Sequence, residues 1–181
     1  MLRVGVIGYG YWGPNLVRNF HESGASTVTF VSDLDPERLT LVKTRYPSVQ
    51  TEIEHQALLN SDSVEAVIIA TPVHTHFHLA MAALRAGKHV LVEKPLTQTS
   101  EQAMTLIAEA KRRRLVLMVD HTFIYTGAVR KLRELVSGGE LGNIYYYDSR
   151  RVNLGLFQPD VSVIWDLAVH DLAILAHVFA G

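Results

Sequence analysis

The element that most restricts what this chain can become is Gly8-Tyr9-Gly10-Tyr11-Trp12-Gly13, which follows the apolar run Leu2 to Ile7 directly and opens an amphipathic stretch from about Trp12 to Glu22. Glycines in a G-x-G-x-x-G pattern between a strand and a helix have separate tasks. Gly8 permits a tight turn, Gly10 lets the backbone approach a diphosphate, and Gly13 allows the helix to lie close on the sheet. The helix amino end then turns unpaired N–H groups toward negative charge. A second apolar run, Val28 to Ser32, ends just before Asp33, which stands 20 residues after Gly13. A carboxylate there can accept hydrogen bonds from the ribose hydroxyls of an adenosine and would repel a ribose phosphate. Leu34 and Asp35 come next, so no arginine follows directly to reverse the sign. These features imply a dinucleotide site that favours NAD over NADP.

The rest of the first 120 residues continues the pattern. Short apolar runs at Val49 to Thr51, Val64 to Ala70, His89 to Val92 and Leu115 to Val119 alternate with amphipathic segments of helical length. Val64 to Ala70 is apolar on nearly every residue, as a central parallel strand covered on both faces must be. Asp35-Pro36 and the Thr99/Gln102 pair are helix-start signals. The fold predicted for residues 1–120 is a doubly wound parallel α/β sheet of the Rossmann type. Residues 121–181 change character, with a helix from Val129 to Ser137, a strand from Ile144 to Val152 and a last helix from about Ser162 to Phe179. A lone strand cannot satisfy its edges, so this tail reads as the incomplete beginning of a second α+β domain. Its apolar helix lacks an evident cover, and association of copies is the favoured outcome.

Composition removes other classes. The chain has no cysteine, which excludes disulfides, thiolate nucleophiles and cysteine-held metals. A formal charge of -1 gives no drive toward nucleic acid or anionic membrane. No apolar stretch approaches membrane-spanning length and the start does not read as a leader, so a cytoplasmic protein is expected. His74, His76 and His78 carry no neighbouring carboxylate, and no metal is expected there.

Three further segments carry chemistry. Thr71-Pro72 and Glu93-Lys94-Pro95 end the fourth and fifth strands, on the edge where open α/β sheets bind ligands. Thr71 is a candidate contact to the nicotinamide half, and Lys94 is a candidate for facing the cofactor ring and the reacting carbon. Asp166 and His170, four apart near the start of the last helix, share a face on which a carboxylate can orient an imidazole. Oxidising a secondary alcohol requires a proton to leave oxygen as hydride leaves carbon, and histidine suits the proton.

VGVIGYGYWG at 4–13, ATPVHTHFHLAMAALRAGKHVLVEKPL at 70–96 and WDLAVHD at 165–171 together resemble the glucose-fructose oxidoreductase, inositol dehydrogenase and rhizopine catabolism family, Gfo/Idh/MocA. The resemblance implies an NAD-dependent dehydrogenase acting on a sugar hydroxyl. It puts Lys94 beside nicotinamide and substrate, Thr71, Pro72 and His76 near the cofactor, and Asp166 and His170 on the substrate, with the histidine as general acid/base. The segment from Tyr145 to Asp171 resembles the branch that acts on nucleotide-linked sugars, including oxidation of the C3 hydroxyl of UDP-linked N-acetylated uronic acids. Arg150, Arg151 and Asn153 are candidates there for a sugar or diphosphate, against the alternative of a solvated strand face. Tyr11, Trp12 and Glu93 complete the expected cofactor contacts. Members of the family are usually longer, so the resemblance implies a chain that lacks most of the second domain. The alternative function is a truncated NAD(H)-binding module without turnover.

Overall fold

A computed structural model describes residues 1–152 and 162–179. The chain divides into two compact units, Met1–Val119 and Asp120–Gly181.

The first unit is a six-stranded sheet in the order β3-β2-β1-β4-β5-β6. Its strands are β1 (Leu2–Ile7), β2 (Ser26–Ser32), β3 (Gln50–Glu52), β4 (Ala66–Ile69), β5 (His89–Val92) and β6 (Leu117–Val119). All of them pair in parallel. Between them run α1 (Gly13–Glu22), α2 (Pro36–Arg45), α3 (His55–Asn60), α4 (Val73–Arg85) and α5 (Ser100–Arg113). Alternation along the strands sends side chains to two cores. Val4, Val6 and Ile68 join Leu16, Val17, Leu39 and Val42 on the α1–α2 side. Ile7, Val67, Ile69, Val90 and Val92 join Leu58, Leu84 and Leu106 on the side of α3, α4 and α5. The helix starts follow their sequence signals. Asp35 accepts from Glu37 N at 2.9 Å and Thr99 from Gln102 N at 3.3 Å.

Strand register decides where function can sit. Ile7 is paired with Ser32 on one side and Ile69 on the other, and Ile69 with Val92. The residues that follow, Gly8, Asp33, Ala70 and Glu93, are therefore lined along one carboxyl edge. Hydrogen bonds from Gly8 N to Ser32 O (2.8 Å), Ala70 N to Ile7 O and Glu93 N to Ile69 O (2.9 Å each) hold that alignment. The chain winds away from β1 toward β2 and returns at β4, so the edge between β1 and β4 is the switch point of the sheet.

The second unit corrects two expectations. It is not a barely begun domain that lacks most of its substance. It forms a compact, predominantly helical body, with a 3-10 turn at Thr122–Tyr125, α6 (Gly127–Ser137), a π-helical turn at Ile164–Ala168 and α7 (Val169–Phe179). The physical reason is that α6, α7 and the 3-10 turn pack on one another. Val129 of α6 and Val178 of α7 are buried, so the tail helix gains cover from inside its own unit. The predicted strand at 144–152 is absent, since those residues have no ladder partner among the described residues. An extended segment without a neighbour cannot be a strand. Tyr147 packs edge-on against Phe179 at 6.2 Å, whereas Tyr145 and Tyr146 are exposed. The α/β class itself, a doubly wound sheet followed by a second α+β region, is as read from the sequence.

Candidate cofactor edge and acid-base residues

The glycines of the first turn differ in what explains them. Gly8 has φ +97°, and a Cβ there would lie 2.6 Å from the Ala70 carbonyl oxygen. A Cβ on Gly13 would strike the Gly8 carbonyl oxygen. Both are demanded by the fold's own packing. Gly10 is different, because its Cβ would meet nothing within 4 Å except Nη1 of Arg38, at 3.5 Å. The protein's own packing gives Gly10 no reason to lack a side chain, and its place in the glycine turn leaves room for a closely approaching ligand. Tyr11 and Trp12 follow it, 75% and 50% exposed, with their rings edge to face at 5.7 Å.

Asp33 is buried, and its carboxylate is already engaged. Oδ2 accepts from Tyr9 N at 2.6 Å, and Oδ1 accepts from Asp35 N at 2.9 Å. One carboxylate thereby ties the glycine turn to the start of α2. Asp35 caps α2 as expected, but Asp33 is not idle as a result. Sequence reasoning missed Arg38, whose Nη1 lies 3.5 Å from Asp33 Oδ2 and whose Nε lies 3.3 Å from Asp35 Oδ2. The available signal was its place one helical turn after Asp35. Two carboxylates and one guanidinium leave this corner net negative.

At the switch point, Thr71 follows β4 and its hydroxyl is 2.6 Å from that of Thr75. Pro72 stands at the cap position of α4. His76 is fully buried rather than turned outward to a ligand. Its Nδ1 is 2.9 Å from Pro95 O and its Nε2 is 2.8 Å from Thr71 O. Both partners are carbonyl oxygens, and a neutral ring donates to one of them through its single N–H. It clamps together the turns after β4 and β5. The second of these carries Glu93 and Lys94, both half-buried, with Lys94 N donating to Glu93 Oε2 at 3.2 Å. Gly8, Gly10, Gly13, Asp33, Thr71, Pro72, Glu93 and Lys94 thus gather on or beside one edge of the first unit. Among the described residues no three His, Asp or Glu side chains form a metal-holding group.

Asp166 and His170 lie in the second unit. They are not on one regular helix, because Asp166 falls in the π-helical turn and His170 in the first turn of α7. Single π turns inside helices recur at functional sites. His170 is buried, edge to face with Phe123 at 4.7 Å. Phe123 also carries the Arg151 guanidinium 4.7 Å from its ring centre. Arg151 Nε donates to Asp171 Oδ2 at 2.9 Å and Ser149 Oγ to Asp171 Oδ1 at 2.7 Å. Burial pushes the Asp171 carboxyl up, but hydrogen bonds from Ser149 and Arg151 and the charges of Arg151 and His170 outweigh it and hold the group below its ordinary value. Arg151 is therefore committed inside the protein, Arg150 lies 3.7 Å from Asp148 on the surface, and Asn153 falls outside the described residues. No helix among the described residues is long and apolar enough to cross a membrane.

Comparison with known proteins agrees with the geometry. The chain is 34% identical over 178 residues to UDP-N-acetylglucosamine 3-dehydrogenase of Acidithiobacillus ferrooxidans, covering 94% of this chain and 52% of that protein. It is 30% identical over 166 residues to an NADP-dependent scyllo-inositol 2-dehydrogenase of Bacillus subtilis, covering 91% and 44%. GenD2 from gentamicin A biosynthesis, solved in complex with NAD, superposes with a TM-score of 0.85 at 26% identity over 98% of this chain and 53% of that one. The chain spans about half the length of these relatives. Its cofactor class is NAD(P). Residues 2–121 match the model of an oxidoreductase family with an NAD-binding Rossmann fold, and the chain belongs to that family, Gfo/Idh/MocA.

Proposed function

We propose that this protein serves hydride transfer between NAD(P) and a secondary hydroxyl of a sugar or polyol. The finer reading is the C3 hydroxyl of a nucleotide-linked N-acetylated sugar or its uronic acid. The observation that carries the proposal is the unexplained openness of Gly10 on an edge tethered by Asp33, in a chain of this family. The 3-dehydrogenase relative supports the finer substrate, and the scyllo-inositol relative supports the wider polyol class. The net negative corner of Asp33, Asp35 and Arg38 favours NAD over NADP.

In this reading the backbone around Gly10 receives the diphosphate and Asp33 takes the ribose hydroxyls, while Thr71, Pro72 and Glu93 border the nicotinamide half. Bound nicotinamide supplies the acceptor or donor of hydride. Lys94 holds the reacting hydroxyl by donating to its oxygen, and His170 takes the hydroxyl proton. Packing on Phe123 restricts the His170 ring, which a base must have if it is to meet one proton in one direction. Asp166 contacts the substrate or orients His170. His76 acts through others, by fixing the turn that bears Lys94. A second copy as partner also belongs to the reading, motivated by Ile164 and Leu172, which are 70% and 61% exposed.

The test is an assay of nicotinamide reduction with NAD and NADP over UDP-linked amino sugars, their uronic acids and inositols. Turnover should fall roughly 10²- to 10⁴-fold in His170→Ala and in Lys94→Ala, with cofactor affinity little changed. Cofactor binding without turnover of any panel member would leave a binding module and refute the enzyme reading. Light scattering at several concentrations settles the mass.

A further inference from the structure

The second unit holds a cleft of about 450 Å³ lined by Ile124, Tyr125, Arg130, Arg133, Glu134 and His177, together with Ser137. We propose that it binds the phosphate group of a small organic molecule, a site separate from the cofactor edge of the first unit. The argument begins with sequence spacing. Arg130 and Arg133 are three apart on α6 and so face the same side. Arg130 stands in the amino-terminal half of the helix, where the dipole does not compensate a cation, and α6 has no acid in its first turn.

The ion pairs leave these guanidiniums uncompensated. Glu134, the acid of the cleft, is paired with Lys131 at 2.9 Å. Among the described residues no carboxylate lies within ion-pair distance of Arg130 or Arg133. What Arg133 does meet is His177, with Nη1 3.4 Å from each ring nitrogen. A nitrogen equidistant from both cannot lie along both lone pairs, so this is a contact of a guanidinium with an imidazole and not a pair of good hydrogen bonds. Two guanidiniums and an imidazole converge on one cleft whose acid, Glu134, is paired with Lys131.

Two guanidiniums present forked N–H donors that match the oxygens of a phosphate, and a nearby imidazole offers a ring N–H. The opposite lining, Ile124 and the half-exposed ring of Tyr125, gives an organic portion something to rest on. A bare ion would use only the basic side. The ligand class is therefore a phosphate ester or diphosphate, such as a nucleoside diphosphate or a sugar phosphate.

The experiment is an NMR titration of the full chain with pyrophosphate, with UDP, with a UDP-linked sugar and with sodium chloride at matched ionic strength. The His177 ring signals, assigned by comparison with His177→Gln, report binding. Saturable displacement of those signals is expected with the phosphate ligands and not with chloride. UDP or the UDP-linked sugar should bind at least roughly ten-fold more tightly than pyrophosphate, because only they reach the apolar wall. The surface variant Arg130→Ala/Arg133→Ala should weaken binding at least roughly ten-fold. Unchanged backbone amides in the first unit and an unchanged circular dichroism spectrum show that the variant is folded. Equal response to chloride, equal affinity for pyrophosphate and UDP, or undiminished binding by the double variant overturns the proposal. NAD affinity is measured alongside, and its retention in the double variant distinguishes this site from the cofactor edge.

Discussion

Adding one methyl group to each of the three glycines after β1 should separate stability from binding. At Gly8 the methyl meets two penalties. A φ of +97° is a conformation that L-residues adopt at about 1–3 kcal/mol, and the new carbon would sit 2.6 Å from the Ala70 carbonyl oxygen. That oxygen belongs to backbone at the end of a central strand, so relief requires a shift of β4 and adds about 1–3 kcal/mol. The sum, roughly 2–6 kcal/mol, is a large part of the total stability of about 5–15 kcal/mol typical of a domain. Gly13→Ala runs into the Gly8 carbonyl oxygen and should behave similarly. Gly10→Ala meets only the mobile end of Arg38 at 3.5 Å, so its cost should stay within about 0.5 kcal/mol. Urea denaturation gives the three stabilities, and calorimetric titration gives NAD affinity for those variants that fold. Gly10→Val should fold and lose at least roughly ten-fold in affinity, since its side chain occupies the approach to the diphosphate. A Gly10→Ala variant as unstable as Gly8→Ala, or a Gly10→Val variant that binds NAD normally, would refute the assignment of the two roles.

Other consequences are more local. NAD should bind more tightly than NADP, and calorimetry should show the gap widening in Arg38→Ala, which removes the cation paired with Asp33 and Asp35, and narrowing in Asp33→Asn. His76→Leu should lower stability by about 1–3 kcal/mol in urea, because one of the Thr71 and Pro95 carbonyls loses the N–H of the ring. The same change should reduce turnover by displacing Lys94. The Asp171 carboxyl is held below its unfolded value, so its contribution is present above the ordinary carboxylate range of about pH 4 and is lost as pH falls through the lower folded value. Thermal melts should show this acid-side loss in the wild type and a flatter profile in Asp171→Asn.

What could be read from the chain alone was whatever depends on nearest neighbours. The glycine turn, the capping by Asp35 and Thr99, and the apolar run at Val64 to Ala70 are local signals, and the structure has each of these elements. The carboxyl-edge alignment of Gly8, Asp33 and Glu93 followed from the parallel fold class. Features that need two distant segments were not legible. The His76 clamp exists because β4 and β5 are adjacent, which brings Pro95 to a ring 19 residues earlier. The segment 144–152 has strand-like residues but no ladder partner among the described residues, and pairing decides strands more than composition does. The π turn that separates Asp166 from His170 reflects local packing that a periodicity count does not register.

The central claim is that the edge formed by the ends of β1, β2, β4 and β5 receives a nicotinamide dinucleotide. An amide-resolved NMR titration of the full chain with NAD tests it most directly. The account predicts saturable shifts concentrated at Gly8 to Gly13, at Asp33 and Leu34, at Thr71 and at Glu93 to Lys94. No shift at saturating NAD, or shifts confined to residues away from that edge, would contradict it.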